Sequence, residues 1–180
     1  MKTVITSIAM AIILALIFSL PALALESGTI TITMTGANEI SISLDKTDWP
    51  LGEVAADTEY YTIPEIEWCT LTVDGNCNVD TYILGEDAKW VDYPAAYKWT
   101  LSSTGTNGEN LYGLWFRISG DTARGYVPIT KTEGEFWPYG DELSLSPKDT
   151  KQFGLRLLTP TYFVGGRDME THITISAVIA

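Results

Sequence analysis

The sequence predicts an all-β protein, an antiparallel β-sandwich of about ten strands in an immunoglobulin-like or jelly-roll-like arrangement. Three observations carry that expectation. Apolar and polar residues alternate with period two through a series of short runs. Turn-forming residues punctuate those runs at regular spacing. Helical periodicity is scarce beyond the N-terminal segment.

The N-terminal segment has the parts of a secretory signal peptide. Lys2 supplies the positive charge, residues 4–20 are mostly apolar, Pro21 breaks the run, and Ala22-Leu23-Ala24 is a small-x-small cleavage pattern. The apolar run falls slightly short of the roughly 20 residues that span a bilayer. The expectation is a signal peptide at 1–24 and one sandwich domain at 25–180, secreted or held at the cell surface. No membrane association is expected once the signal is removed.

The first strand pattern follows at once. Ile30, Ile32 and Met34 alternate with Thr29, Thr31, Thr33 and Thr35. Thr is β-branched and suits a solvated strand face. Ile40, Ile42 and Leu44 then alternate with serines. Further strands are expected at 66–73, 77–84, 97–102, 111–118, 125–129, 142–145, 152–158 and 171–179. Short helical turns are expected near 86–90 or 147–151. In the last strand Ile173, Ile175, Ala177 and Ile179 share one face, and His172, Thr174, Ser176 and Val178 the other. Trp99 and Leu101 share a face, as do Tyr112, Leu114, Phe116 and Ile118, with Trp115 and Arg117 opposite. Turn signals include Asp74-Gly75-Asn76, Gly105-Thr106-Asn107-Gly108 and Ser119-Gly120-Asp121.

Composition narrows the function. Eleven Lys and Arg against 23 Asp and Glu give a formal charge of −12. Such a chain lacks the clustered cations that phosphate contact needs, so nucleic acid is not an expected partner, and anionic lipid is disfavoured. Apolar residues make up 46 %, which places the chain among folded globular proteins and outside the acidic disordered class. One His and two Cys cannot build a zinc site by themselves.

Cys69 and Cys77 are close in sequence, and in an exported chain that suggests a disulfide. Register opposes the simplest version. A two-residue turn at Asp74-Gly75 would face Thr72 with Cys77 and put Cys69 opposite Asp80. A direct bridge would need a longer loop or a bulge, so the tight turn and the bridge exclude each other. The disulfide is the expected outcome, and two buried apolar thiols are the other.

The stretch Trp49-Pro50-Leu51-Gly52-Glu53-Val54, followed by Leu71-Thr72-Val73-Asp74-Gly75-Asn76-Cys77-Asn78-Val79-Asp80, resembles the pattern W-x-L-G-x-V … L-T-V-x-N-x-G-N-x-x-V of immunoglobulin-like sandwich domains in exported prokaryotic proteins. The resemblance implies an immunoglobulin-like sandwich. It implies no activity and transfers no site residue. Asp74-Gly75 replaces the usual Asn-x-Gly, so strand register is not carried over.

No catalytic set emerges. His172 is the only histidine, no Gly-x-Ser-x-Gly elbow accompanies it, and it reads as a strand-surface residue. The acidic pairs Glu86 with Asp87, Asp141 with Glu142, and Asp168 with Glu170 read as solubilising surface groups. The protein is therefore expected to be non-enzymatic, with no catalytic residue, no metal ligand and no cofactor. Calcium is a lesser candidate, through oxygen ligands around Asp74, Asn76, Asn78 and Asp80. Trp137 and Tyr139, in a loop-like stretch, are candidate ligand-stacking aromatics for a glycan, with Trp90, Tyr93 and Trp115 as companions; core packing is the bland alternative.

The two ends carry the leading expectation. Alternating apolar strands lie close to both, and such a strand either joins its own sheet or pairs with a neighbour's open edge. Ile30, Ile32 and Met34 form the candidate donor strand. The expected role is a structural subunit of an extracellular filament or surface layer that self-associates by strand donation. A secreted carbohydrate-binding or adhesion module is the alternative.

Overall fold

A computed structural model describes residues 32–180 apart from 65, 123, 140 and 141. The expected signal peptide, its cleavage site and Ile30 lie outside the described residues. The chain divides after Gly36 into two units. Of the first, residues 32–36 are exposed and have no regular secondary structure. The second, residues 37–180, holds twelve described strands and no described helix.

The strands are β1 (Ile42–Leu44), β2 (Glu59–Tyr61), β3 (Cys69–Val73), β4 (Val79–Gly85), β5 (Ala88–Trp90), β6 (Lys98–Leu101), β7 (Leu111–Ile118), β8 (Val127–Pro128), β9 (Gly134–Trp137), β10 (Thr150–Leu158), β11 (Met169–Glu170) and β12 (Ile173–Ile179). They form two sheets. The larger runs β1-β3-β10-β7-β6-β5-β11, with β2 added to β10 and β8 to β7; the smaller is β12-β4-β9. The pairing is antiparallel except for a short parallel contact of β6 with β7. The architecture is the expected all-β sandwich.

β7 and β10 form the spine of the large sheet, paired from Phe153↔Ile118 to Leu158↔Gly113. Their alternation decides both faces. Tyr112, Leu114, Phe116 and Ile118 point inward and are almost fully buried, as are Trp99 and Leu101 of β6. Leu71 and Val73 of β3 and Val79 and Ile83 of β4 complete this interior. Phe136 of β9 ties the two sheets together. Its ring lies 5.2 Å from that of Phe116 and 5.0 Å, edge-on, from that of Phe153.

The outer face of the large sheet is also filled. Trp115 is only 7 % exposed there, lying flat on two glycines. A Cβ on Gly113 would stand 2.4 Å from the Gly105 carbonyl and 2.4 Å from the Trp115 ring. The Arg156 guanidinium covers Trp115 at 4.2 Å and pairs with Glu59 of β2. β2, which the sequence pattern did not reveal, is laddered to β10 and supplies the carboxylate that holds this cation over Trp115.

Several expectations are corrected. Asp74-Gly75 does not close a hairpin, because β3 pairs with β1 and β10 while β4 belongs to the other sheet. The turn is a crossover between layers, held by Gly75 N–H on Ser41 and Asn76 N–H on Glu39. Residues 142–145 are not a strand; only Leu145 bridges, to Val79. The helical turn expected near 86–90 is instead β5, pinned by its neighbours β6 and β11.

Asp87 stands at the start of β5 as an electrostatic junction. It accepts from Lys98 (2.9 Å), from the Leu101 N–H (2.9 Å) and from Lys131 (3.0 Å). Burial pushes its pKa up, but the donors from Lys98, Leu101 and Lys131 outweigh it and bring it from 3.8 down to about 2. The folded form thus releases this proton more readily than the unfolded chain does. The stabilisation is fully present above pH 3.8 and is lost as pH falls through about 2. Its size is about 1–2 kcal/mol, allowing for two half-exposed lysines. Urea titrations at pH 5 and pH 2 should therefore show Asp87→Asn losing less stability on acidification than the unsubstituted protein, by about that amount. An equal acid loss in both proteins would refute the assignment.

Candidate functional site

The most unusual feature of the fold is the outer edge of β12. This strand pairs with β4 over seven consecutive residues without a register shift, from Ile173↔Gly85 to Ile179↔Val79. Two flanking bonds set the phase: Glu86 N–H donates to His172 C=O (3.2 Å) and Ala180 N–H to Asn78 C=O (3.1 Å). In an antiparallel ladder the backbone groups alternate in direction. Even-numbered residues therefore face β4, and the N–H and C=O of Ile173, Ile175, Ala177 and Ile179 point outward. Among the described residues no strand pairs with that edge.

Side chains follow the alternation expected from sequence. Ile173, Ile175 and Ala177 are half-buried against the core, while Thr174 and Val178 are exposed. Three strands over a much wider sheet leave part of its inner face without a β-strand cover. Beside β12 this opens as a groove of about 980 Å³. Leu114, Leu155, Leu157 and Trp99 line it from the large sheet, Ile173 and Ile175 from β12, residues 47–54 form one wall, and residues 165–171 another. The Trp99 indole N–H is buried without an acceptor among the described residues. The rim is mixed in charge, with Lys46, Glu53, Glu67, Arg167, Asp168 and His172. Tyr112 reaches under this end of the groove, its hydroxyl donating to Glu86 C=O and lying 2.8 Å from Thr171 Oγ1. Burial raises the Tyr112 pKa far above the usual phenol value, so the group stays a neutral donor.

The candidate residues read from sequence are placed as follows. Ile32 and Met34 are 74 % and 85 % exposed. Trp137 is not an exposed platform. It is 8 % exposed, its indole N–H donates to Leu143 C=O (3.0 Å), and the Lys151 ammonium sits 3.5 Å above its ring. Tyr139 is half-exposed with the Arg124 guanidinium 4.4 Å from its ring. A sugar would have to displace both cations to reach these faces. Trp90 and Tyr93 do meet, at 4.8 Å, with Arg167 stacked against Trp90. His172 is exposed, 3.9 Å from Glu170.

Cys69 and Cys77 are free thiols, which corrects the expected disulfide. The Cys69 thiol donates to Lys46 C=O (3.3 Å) and the Cys77 thiol to Glu39 C=O (3.4 Å). Those two carbonyls lie at opposite ends of the β1 segment, about 20 Å apart in extended chain. A disulfide needs Cα atoms within about 7 Å. Burial pushes the Cys69 thiol up, away from the reactive thiolate form.

No cluster of three or more His, Cys, Asp or Glu suited to a metal occurs among the described residues. Of the oxygen ligands considered for calcium, Asn76 Oδ1 accepts from Glu39 N–H (2.7 Å) and Asp80 Oδ1 from Ser144 (2.6 Å). No helix among the described residues is long and apolar enough to cross a membrane. No family model matches the sequence, and no curated protein shows significant similarity to it.

Proposed function

We propose that the protein is a secreted, non-enzymatic structural subunit of an extracellular filament or cell-surface layer, which self-associates by adding a strand of one copy to β12 of the next. One observation carries the reading: among the described residues β12 is paired on one side only, along its whole length, beside an apolar groove. An open edge of this length is a template for another strand, and proteins that keep one as a monomer usually blunt it with charge, Pro or a bulge. Residues 173–179 contain none of these.

The partner strand is the segment 29–35 of a second copy. Its seven residues match the seven of β12 in length, and Ile30, Ile32 and Met34 have the spacing of side chains that enter a groove from one face of a strand. Main-chain bonds to Ile173, Ile175, Ala177 and Ile179 would supply affinity, and the alternate apolar side chains would supply register. The large net negative charge suits a protein that must stay soluble until it is placed on a neighbour.

Removing residues 28–36 from the full chain tests this reading. Filaments or layers seen by negative-stain electron microscopy for the intact protein should vanish. The β-type circular dichroism and the cooperative thermal transition should remain, because the 37–180 unit keeps its own core. Assembly that survives the deletion would exclude this segment as the donor.

A further inference from the structure

We infer that residues 47–54, one wall of the groove beside β12, are a displaceable plug that the side chains of an incoming strand push aside. The inference rests on the reading of β12 as an acceptor edge. Trp49 and Leu51, two residues apart, pack half-buried against the core, as alternate side chains of a strand would. Yet 47–54 belongs to no strand, and none of its main-chain groups is hydrogen-bonded to another described backbone group. Among the described residues it is a strand substitute held by the packing of its side chains.

The ends of the plug are fixed independently of its middle. Before it, Lys46 donates to the carbonyls of Ile66 and Trp68, and its own carbonyl takes the Cys69 thiol. After it, Ala55 N–H donates to Tyr60 Oη (2.8 Å), and Ala55 C=O accepts from Thr159 Oγ1 (2.7 Å). The segment between can therefore lift without unpairing any strand. Gly52, at φ +66°, puts a left-handed turn within it that a side chain would strain. An incoming segment 29–35 brings comparable apolar side chains and a main-chain ladder besides, so it prevails over a plug that has only the first. In the lone subunit the plug shields apolar surface and slows premature assembly.

The test uses the full chain and follows the lag before assembly by light scattering. Trp49→Ala/Leu51→Ala should shorten the lag at least about fivefold, the scale set by withdrawing two partly buried apolar side chains. An equal or longer lag overturns the plug. Should the double variant fail to fold, hydroxyl-radical footprinting of the unsubstituted protein decides: Trp49 oxidation should rise severalfold on assembly, and an unchanged or falling signal overturns the inference. If the unsubstituted protein forms no assembly, strand addition itself falls and the plug with it. Assembly with an unmoved plug removes only the present inference.

Discussion

Ala177→Pro is expected to abolish polymer formation while leaving the subunit folded. Residue 177 is one of the four positions in β12 whose N–H points away from β4, as the bonds at His172 and Ala180 establish. Proline there removes no bond of the existing ladder, and it is tolerated on an edge strand where the N–H faces solvent. A neighbouring strand would have to lie about 4.8 Å away, where the proline ring stands and a donor is missing. Polymer yield by sedimentation and electron microscopy should fall at least about tenfold, since one lost ladder bond and the ring clash together exceed about 1.4 kcal/mol. The melting temperature should shift little. Ser176→Pro is the informative companion. Its N–H faces Tyr82 of β4, so it should destabilise the fold itself. Normal filaments from Ala177→Pro would remove β12 as the acceptor edge.

Phe136→Ala should cost about 3–5 kcal/mol of unfolding free energy, the largest stability loss expected of any single truncation here. The ring is fully buried and belongs to β9, a four-residue edge strand. Its contacts with Phe116 and Phe153 join the small sheet to the centre of the large one. Truncation leaves a void between two layers whose backbones are fixed by their own ladders, so little relaxation can fill it. Equilibrium urea denaturation measures the change directly. A loss below about 1 kcal/mol would show that the sheets are held together elsewhere.

The long strands were legible because each carries its own alternation. β3, β6, β7 and β12 fall within the expected runs, β4 overruns its run by one residue and β10 begins two residues before its run, and the inward faces of β6, β7 and β12 are the ones the pattern names. β2, β5, β9 and β11 were not legible. They have two to four residues each, too few for a period to show, and their pairing is long-range: Tyr61 meets Arg156 across most of the domain. Local turn chemistry at Asp74-Gly75 marked the break between two strands but could not say which sheet the chain would enter next. That choice depends on where Val79 and Ile83 find apolar partners. For the same reason the sequence left open whether Trp137 stacks on a ligand or packs in the core; it is buried, with Lys151 over its ring.

By itself the sequence determined the all-β class, the acidic character, the alternation of 29–35 and the apolar face of the last strand, because each depends only on residues near one another in the chain. Only the tertiary structure decided that, among the described residues, β12 has a neighbour on one side and 47–54 lies in place without a ladder, that a groove runs beside β12, and that two thiols expected to join stand apart. Those properties depend on which elements come to lie alongside each other, and pairing over such separations is set by the whole packed core.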